Sequence, residues 1–220
     1  MKFSIKGLIS GAALALAAMS VQAVPITSAG SLTIGDKTFS NFTCSITSGG
    51  LALTGPNACS QINVEVIGDG SAGSPYGLAF NSGFSAFGLG WEDILLGYRV
   101  TVTDPSQAID EIGLAFNGSF VGLAVTQVVE TVFNNGNLVG QAEVHNGSGI
   151  GAQLQDLISL NGAYTVLDVV KDIYLGAAGG LASISYIQQT FPQTDVPLPA
   201  PLALLGLGLF SLGLTSRRKQ

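Results

Sequence analysis

The chain has 220 residues, a formal net charge of −6 and 30 glycines. With its two apolar ends set aside, one domain's length of chain remains, enough to bury a core without a structural metal. All 14 carboxylates but only three of the eight bases, Lys37, Arg99 and Lys171, fall within residues 24–195, which excludes nucleic-acid or anionic-lipid binding through a basic surface.

At the N-terminus, Lys2 and Lys6 lead into a small, apolar stretch, residues 7–19, followed by Val21-Gln22-Ala23 with small residues at the positions a signal peptidase reads. Residues 1–23 are therefore expected to be a secretory signal peptide cut between Ala23 and Val24. The apolar run is shorter than the roughly 20 residues that span a bilayer.

Beyond the signal, apolar residues recur every second position. Phe42, Cys44 and Ile46 share one side, opposite Thr43, Ser45 and Thr47. Ile62, Val64 and Val66 oppose Asn63 and Glu65, and Tyr98, Val100 and Val102 oppose Arg99, Thr101 and Thr103. Similar runs cover residues 109–116, 120–133, 138–145, 163–175 and 181–190. This period, rich in β-branched residues, predicts half-buried strands.

Asn-Gly pairs at 117–118, 135–136, 146–147 and 161–162 tolerate the positive φ of tight turns and predict reversals between those runs. The clearest predicted hairpin closes at Asn134-Asn135-Gly136. Residues 68–77, rich in Gly and Ser, predict a surface loop. Ile150, Leu154, Leu157 and Ile158 fall at helical spacing and predict one short helix. The whole predicts an all-β antiparallel sandwich, jelly-roll or immunoglobulin-like, over residues 24–195.

Cys44 and Cys59 are the two cysteines. In an exported chain an even count this close predicts one disulfide across a loop. Neither a C-x-x-C motif nor a nearby histidine points to redox or metal chemistry instead.

The chain closes with Val196-Pro197-Leu198-Pro199-Ala200, an apolar run from Leu202 to Leu214, and Arg217-Arg218-Lys219. Cations at the end of a membrane span stay cytoplasmic, so the body would lie on the far side, the orientation the signal peptide also gives. Residues 196–220 resemble the VPLPA-CTERM sorting signal, a variant of the PEP-CTERM signal of Gram-negative bacteria in which Leu198 stands where the commoner form has Glu. The resemblance implies a single transmembrane helix with a basic stop, and recognition by an exosortase after signal peptidase has acted. It further implies an inner-membrane-anchored precursor and delivery to the cell surface or exopolysaccharide matrix.

The body carries few groups with which to build a catalyst. His145, the sole histidine, ends a predicted strand with no G-x-S-x-G nucleophile elbow to serve, and is expected to be a solvated edge residue. The carboxylate pairs Glu92-Asp93, Asp110-Glu111 and Asp168 with Asp172 would have to converge across a cleft at about 5–10 Å to act as a glycosidase. Asp168 and Asp172 are instead expected to be solvated edge charges. Ca²⁺ is the one cofactor alternative, although residues 66–74 lack the full ligand ladder of a calcium loop. These features predict an exported surface or matrix protein with a structural or interaction role and no catalysis.

The alternative is a carbohydrate-binding module for extracellular polysaccharide, and a secreted hydrolase comes third. A glycan-binding surface needs exposed rings, and the candidates are Trp91, Tyr76, Tyr98, Tyr164 and Tyr186. The tyrosines in alternating strands are expected in the core with hydroxyls at its rim. Trp91, the only tryptophan, stands out among them as the candidate for stacking a sugar ring, flanked by Gly90 and Glu92 in a predicted strand-leading turn, although it too is expected to be buried.

Overall fold

Strand follows strand because each alternating run gives its apolar side chains one face to bury and leaves Thr, Ser, Asn and charge on the other. The computed structural model describes residues 23–50, 52–53 and 55–196. They form sixteen strands: β1 (Val24–Pro25), β2 (Ser31–Ile34), β3 (Lys37–Gly49), β4 (Ala52–Leu53), β5 (Asn63–Ile67), β6 (Gly77–Gly88), β7 (Trp91–Val102), β8 (Gln107–Phe116), β9 (Ser119–Val121), β10 (Ala124–Asn134), β11 (Asn137–Gly147), β12 (Gly151–Gln153), β13 (Gln155–Tyr164), β14 (Val166–Ala177), β15 (Gly180–Thr190) and β16 (Gln193–Asp195). The helical turns among the described residues are two short 3-10 turns, Ile26–Ser28 and Cys59–Gln61.

Two antiparallel sheets pack face to face. The front sheet runs β12-β11-β10-β14-β7-β3-β2, and the back sheet runs β1-β5-β6-β15-β8-β13, with β4 on β6, β9 on β15 and β16 on β8. The fold is thus the two-layer all-β sandwich the alternation predicts.

Inward residues of both sheets build one core. Phe39, Leu96, Val100, Val128 and Ile173 from the front meet Ile62, Val64, Phe80, Ile112 and Ile187 from the back. At its centre Tyr98 packs among Phe39, Phe42, Phe80 and Phe191, with ring centroids 5.8–6.4 Å apart. Tyr98 is buried as expected, but its hydroxyl lies inside the core and not at the rim, whereas Tyr164 and Tyr186 are only half-buried.

The cysteines form the expected disulfide, Cα atoms 5.9 Å apart, which ties β3 of the front sheet to the turn that leads into β5 of the back sheet.

Several local expectations change. The predicted helix near residue 150 is absent: β12 and β13 occupy that stretch. Gly149 and Gly151 both have positive φ, 83° and 79°, which a helix start does not accommodate. Pairing with β8 instead turns Ile158 and Leu160 toward the core. The run over residues 120–133 is two strands in different sheets, broken at Gly122 (φ 70°), where the backbone passes so near its neighbour that an added Cβ would lie 3.0 Å from the Gly179 carbonyl oxygen. Three of the four Asn-Gly pairs do not reverse the chain, and Asn117-Gly118 carries it straight on from β8 to β9, both antiparallel to β15. Asn146-Gly147 lies within β11, the Asn146 side chain donating to the Gly118 carbonyl at 2.9 Å. Asn161-Gly162 lies in the irregular stretch of β13 between Ser159 and Tyr164.

Residues 1–22 of the expected signal peptide lie outside the described residues, as do Pro197, Leu198, Pro199, Ala200, the apolar run and Arg217, Arg218 and Lys219. Ala23 is exposed, Val24 pairs with Val64, and the Val196 N–H donates to the Ser106 carbonyl at 2.8 Å. Among the described residues no helix is long and apolar enough to cross a membrane.

Candidate functional site

The outward residues of the front sheet line up in rows fixed by strand register. One row runs Gly49, Trp91, Gly176, Val125, Gly147 and Gly151 across β3, β7, β14, β10, β11 and β12. The next runs Thr47, Asp93, Tyr174, Gln127, His145 and Gln153. The third holds Ser45, Leu95, Asp172, Val129 and Glu143. Trp91 and Tyr174 are therefore diagonal neighbours on the two central strands, within reach of each other as large side chains.

Contrary to the expectation of burial, Trp91 is 37% exposed, and Tyr174 equally so. Glycine makes room for both rings. A Cβ on Gly49 would lie 2.7 Å from Trp91 Nε1, and a Cβ on Gly176 2.8 Å from the Tyr174 hydroxyl. The rings occupy the space these absent side chains leave, lying along the sheet. Leu95, also exposed, extends the apolar surface by one row.

Polar groups surround the rings. Asp93 and Asp172 are diagonal neighbours; burial first, then the Asp93 charge and hydrogen bond, raises the Asp172 pKa above the usual carboxylate range. Farther along, Glu143 Oε1 accepts from Gln127 Nε2 at 2.9 Å and lies 3.2 Å from His145 Nδ1. Gln153 Nε2 donates to the Glu143 carbonyl oxygen at 3.1 Å. Two rows down, Arg99 grips Asp168 with Nε–Oδ1 at 2.7 Å and Nη2–Oδ2 at 3.0 Å.

These positions revise the expectations for single residues. Asp168 and Asp172 sit on β14, an interior strand, each engaged by a neighbour, and are not edge charges. His145 is half-buried on β11 and covered by β12, not a free edge residue. Glu92 and Asp93 project to opposite faces, Glu92 into the core and Asp93 outward. Asp93 and Asp172 are diagonal neighbours on β7 and β14, near enough that Asp93 raises the Asp172 pKa. Among the described residues no group of three or more His, Cys, Asp or Glu is placed to hold a metal ion.

Tyr174 is the site residue missing from the sequence-derived aromatic candidates. Its signal was phase: within β14 it alternates with Ile173 and Leu175, on the same side as Asp168 and Asp172.

The back sheet carries a groove of about 900 Å³ between the 68–77 loop and β8, β13 and β15, lined among others by Tyr76, Glu111, Leu157 and Gln188. Of its two rings, Phe191 is buried in the core, and Tyr76 is wedged over Gly35 and Gly70, where a Cβ would come within 2.2 and 2.6 Å of it. The groove has no free aromatic face to offer.

No family model matches the chain, and no curated protein does. Among solved structures, the chain is similar to TmCBM61 in complex with beta-1,4-galactotriose, at 13% identity over 68% of this chain and 88% of that one, with a TM-score of 0.35. It is also similar to the enzymatically active domain of bacteriophage CBA120 tailspike protein 4, at 15% identity over 67% of this chain and 19% of that one, with a TM-score of 0.27. Similarity at this level assigns neither ligand nor activity.

Proposed function

We propose that this chain is an exported protein that binds polysaccharide on its front sheet and is retained at the cell surface or in the exopolysaccharide matrix by its C-terminal sorting signal. The observation that carries the binding reading is the exposure of Trp91 and Tyr174 side by side on an open sheet face, bordered by Asp93 and Asp172. A pyranose ring presents a face of C–H bonds, electropositive and apolar, that complements the negative face of an aromatic ring. The carboxyls and the Gln127 and Gln153 amides supply the hydrogen-bonding groups that a sugar's hydroxyls require. An open face suits a chain of sugars better than a single small molecule, because a polymer can lie across several rows at once.

Export and retention rest on the order of segments at the two ends, from Lys2 to Ala23 and from Val196 to Lys219. They make signal peptidase and an exosortase the processing partners, and the inner membrane the stage before release.

Binding is tested by affinity electrophoresis of the protein through soluble bacterial and plant polysaccharides. Trp91→Ala and Tyr174→Ala should each weaken retention about tenfold, equivalent to about 1.4 kcal/mol. A purely structural role leaves mobility unchanged in every polysaccharide, and that result overturns the binding reading. For the address, a Pro197→Ala, Pro199→Ala double variant should keep its full tail by intact mass while the natural chain loses it; identical tails in both sink the sorting reading.

A further inference from the structure

Both lysines of the body are wholly buried, an arrangement proteins rarely adopt without a partner. Lys171 projects from β14 of the front sheet, and its cross-strand partner on β10 is Glu130, also fully buried. Lys171 Nζ bonds Glu130 Oε2 and donates to Gln189 Oε1 at 3.1 Å. Gln189 comes from β15 of the back sheet and is fully buried too. Its Nε2 donates to the Thr190 carbonyl oxygen at 3.4 Å and lies near enough to Glu130 to lower that carboxyl's pKa, while Glu130 Oε1 is buried with no hydrogen-bond partner. The Phe80 ring lies 5.9 Å from the amine, and Tyr98 lies close enough to feel the Glu130 charge. An amine, a carboxamide and a carboxyl thus meet between the sheets, walled by aromatics.

We propose that Lys171 and Gln189 form an intramolecular isopeptide bond that links the two sheets covalently, with Glu130 as the proton-transfer group. Lys171 Nζ, as the free amine, adds to Cδ of Gln189, one bond from the oxygen it already contacts. Glu130, as the acid, gives its proton to Nε2; the Cδ–Nε2 bond breaks and ammonia leaves. The surplus proton on Nζ passes to the Glu130 carboxylate, which ends as it began. One amine and one primary amide become one secondary amide and one ammonia, with no oxidant, reductant or cofactor.

The surroundings favour the neutral forms this step needs. Burial lowers the Lys171 pKa against the pull of Glu130, and burial raises that of Glu130 against the pull of Lys171. Exclusion of water also protects the acyl carbon from hydrolysis. Lys37 makes an instructive contrast. It too is buried and bonded to a carboxyl, Asp36, and to a glutamine, Gln193. Gln193, however, lies exposed at the rim, where water competes for the amide.

The test is mass spectrometry of the purified full chain, denatured, reduced and digested with trypsin. The bond predicts a chain lighter by one ammonia, no cleavage after Lys171, and a fragment in which Lys171 and Gln189 are joined. Glu130→Ala and Gln189→Leu should each restore the ammonia mass and the cleavage. Recovery of Lys171 and Gln189 unlinked in the natural chain overturns the proposal whether or not the variants fold. Loss of ammonia located elsewhere, the Lys37 and Gln193 pair included, overturns it as well.

Discussion

Glu92 and Asp172 show how one strand partner decides a carboxyl's behaviour. Glu92 faces the core from β7, where it accepts a hydrogen bond from the Ser85 backbone and Gly55 leaves room for it. Burial raises its pKa from 4.5 to about 7, the Ser85 hydrogen bond opposing only in part. The unfolded chain therefore releases this proton near 4.5 while the folded chain holds it to about 7. Across that window the folded state binds more protons, so stability falls as pH rises and levels off above it. Asp172, also raised, adds to the same slope. Melting temperature followed against pH should therefore decline over this range, and Glu92→Gln should flatten the decline and melt higher at its alkaline end. An unchanged slope in the variant would show that Glu92 ionises in the folded state as freely as in the unfolded chain. None of this was legible in the pair Glu92-Asp93 read as a pair, because alternation sends its members to opposite faces. Trp91 was similarly ambiguous, since the glycine that makes room for its ring, Gly49, lies on another strand.

At the level of elements, local pattern and local turn chemistry were the legible parts. The β10–β11 hairpin closes with Asn134 paired to Asn137, so that Asn135 and Gly136 are its two loop residues. Their φ values, 50° and 80°, are both positive, the arrangement whose twist suits a two-residue hairpin and for which Asn-Gly is the favoured pair. A Cβ at Gly136 would meet nothing within 4 Å, so substitution acts through the backbone alone. Gly136→Ala should cost about 1 kcal/mol, read as a lowered urea midpoint with an unchanged slope. No loss would mean that the turn relaxes into another type at no cost. The same dipeptide at 146–147 and 161–162 misled because long-range pairing claimed it: Asn146 is held by Gly118 across the sandwich edge, and β13 keeps its course along β8 through an irregular stretch. The helical spacing at residues 150–158 failed for the same reason. An apolar stretch flanked by left-handed glycines and beside the open edge of β8 gains more from pairing than from winding.

Across the whole molecule, the question is what keeps two sheets in register when their loops are rich in glycine. The apolar interface supplies the bulk of the attraction, but burial is non-directional and fixes no particular alignment. The Cys44–Cys59 disulfide supplies direction from the middle of β3, joining the front sheet to the turn before β5 across a separation of 15 residues. In the chain-entropy account, closing a loop of that size restricts the unfolded chain by about 3 kcal/mol. The Lys171, Glu130 and Gln189 contact also links the two sheets in the interior, between the middles of β10 and β14 and the C-terminal end of β15. Glu130 stands 41 residues before Lys171 and Gln189 18 after it, which is why a lone lysine in an alternating run gave no sign of the contact. With the proposed Lys171–Gln189 bond in place, the two ties close different loops of the unfolded chain, 44–59 and 171–189, so their contributions should be close to additive. Guanidinium unfolding of the full chain with and without reductant should therefore differ by about 3 kcal/mol, and a Cys44→Ser, Cys59→Ser double variant should match the reduced protein. If Gln189→Leu changes the size of that reduction effect substantially, the disulfide and the buried triad restrain the same motion between the sheets, and the front and back layers are coupled through one contact network instead of two independent ties.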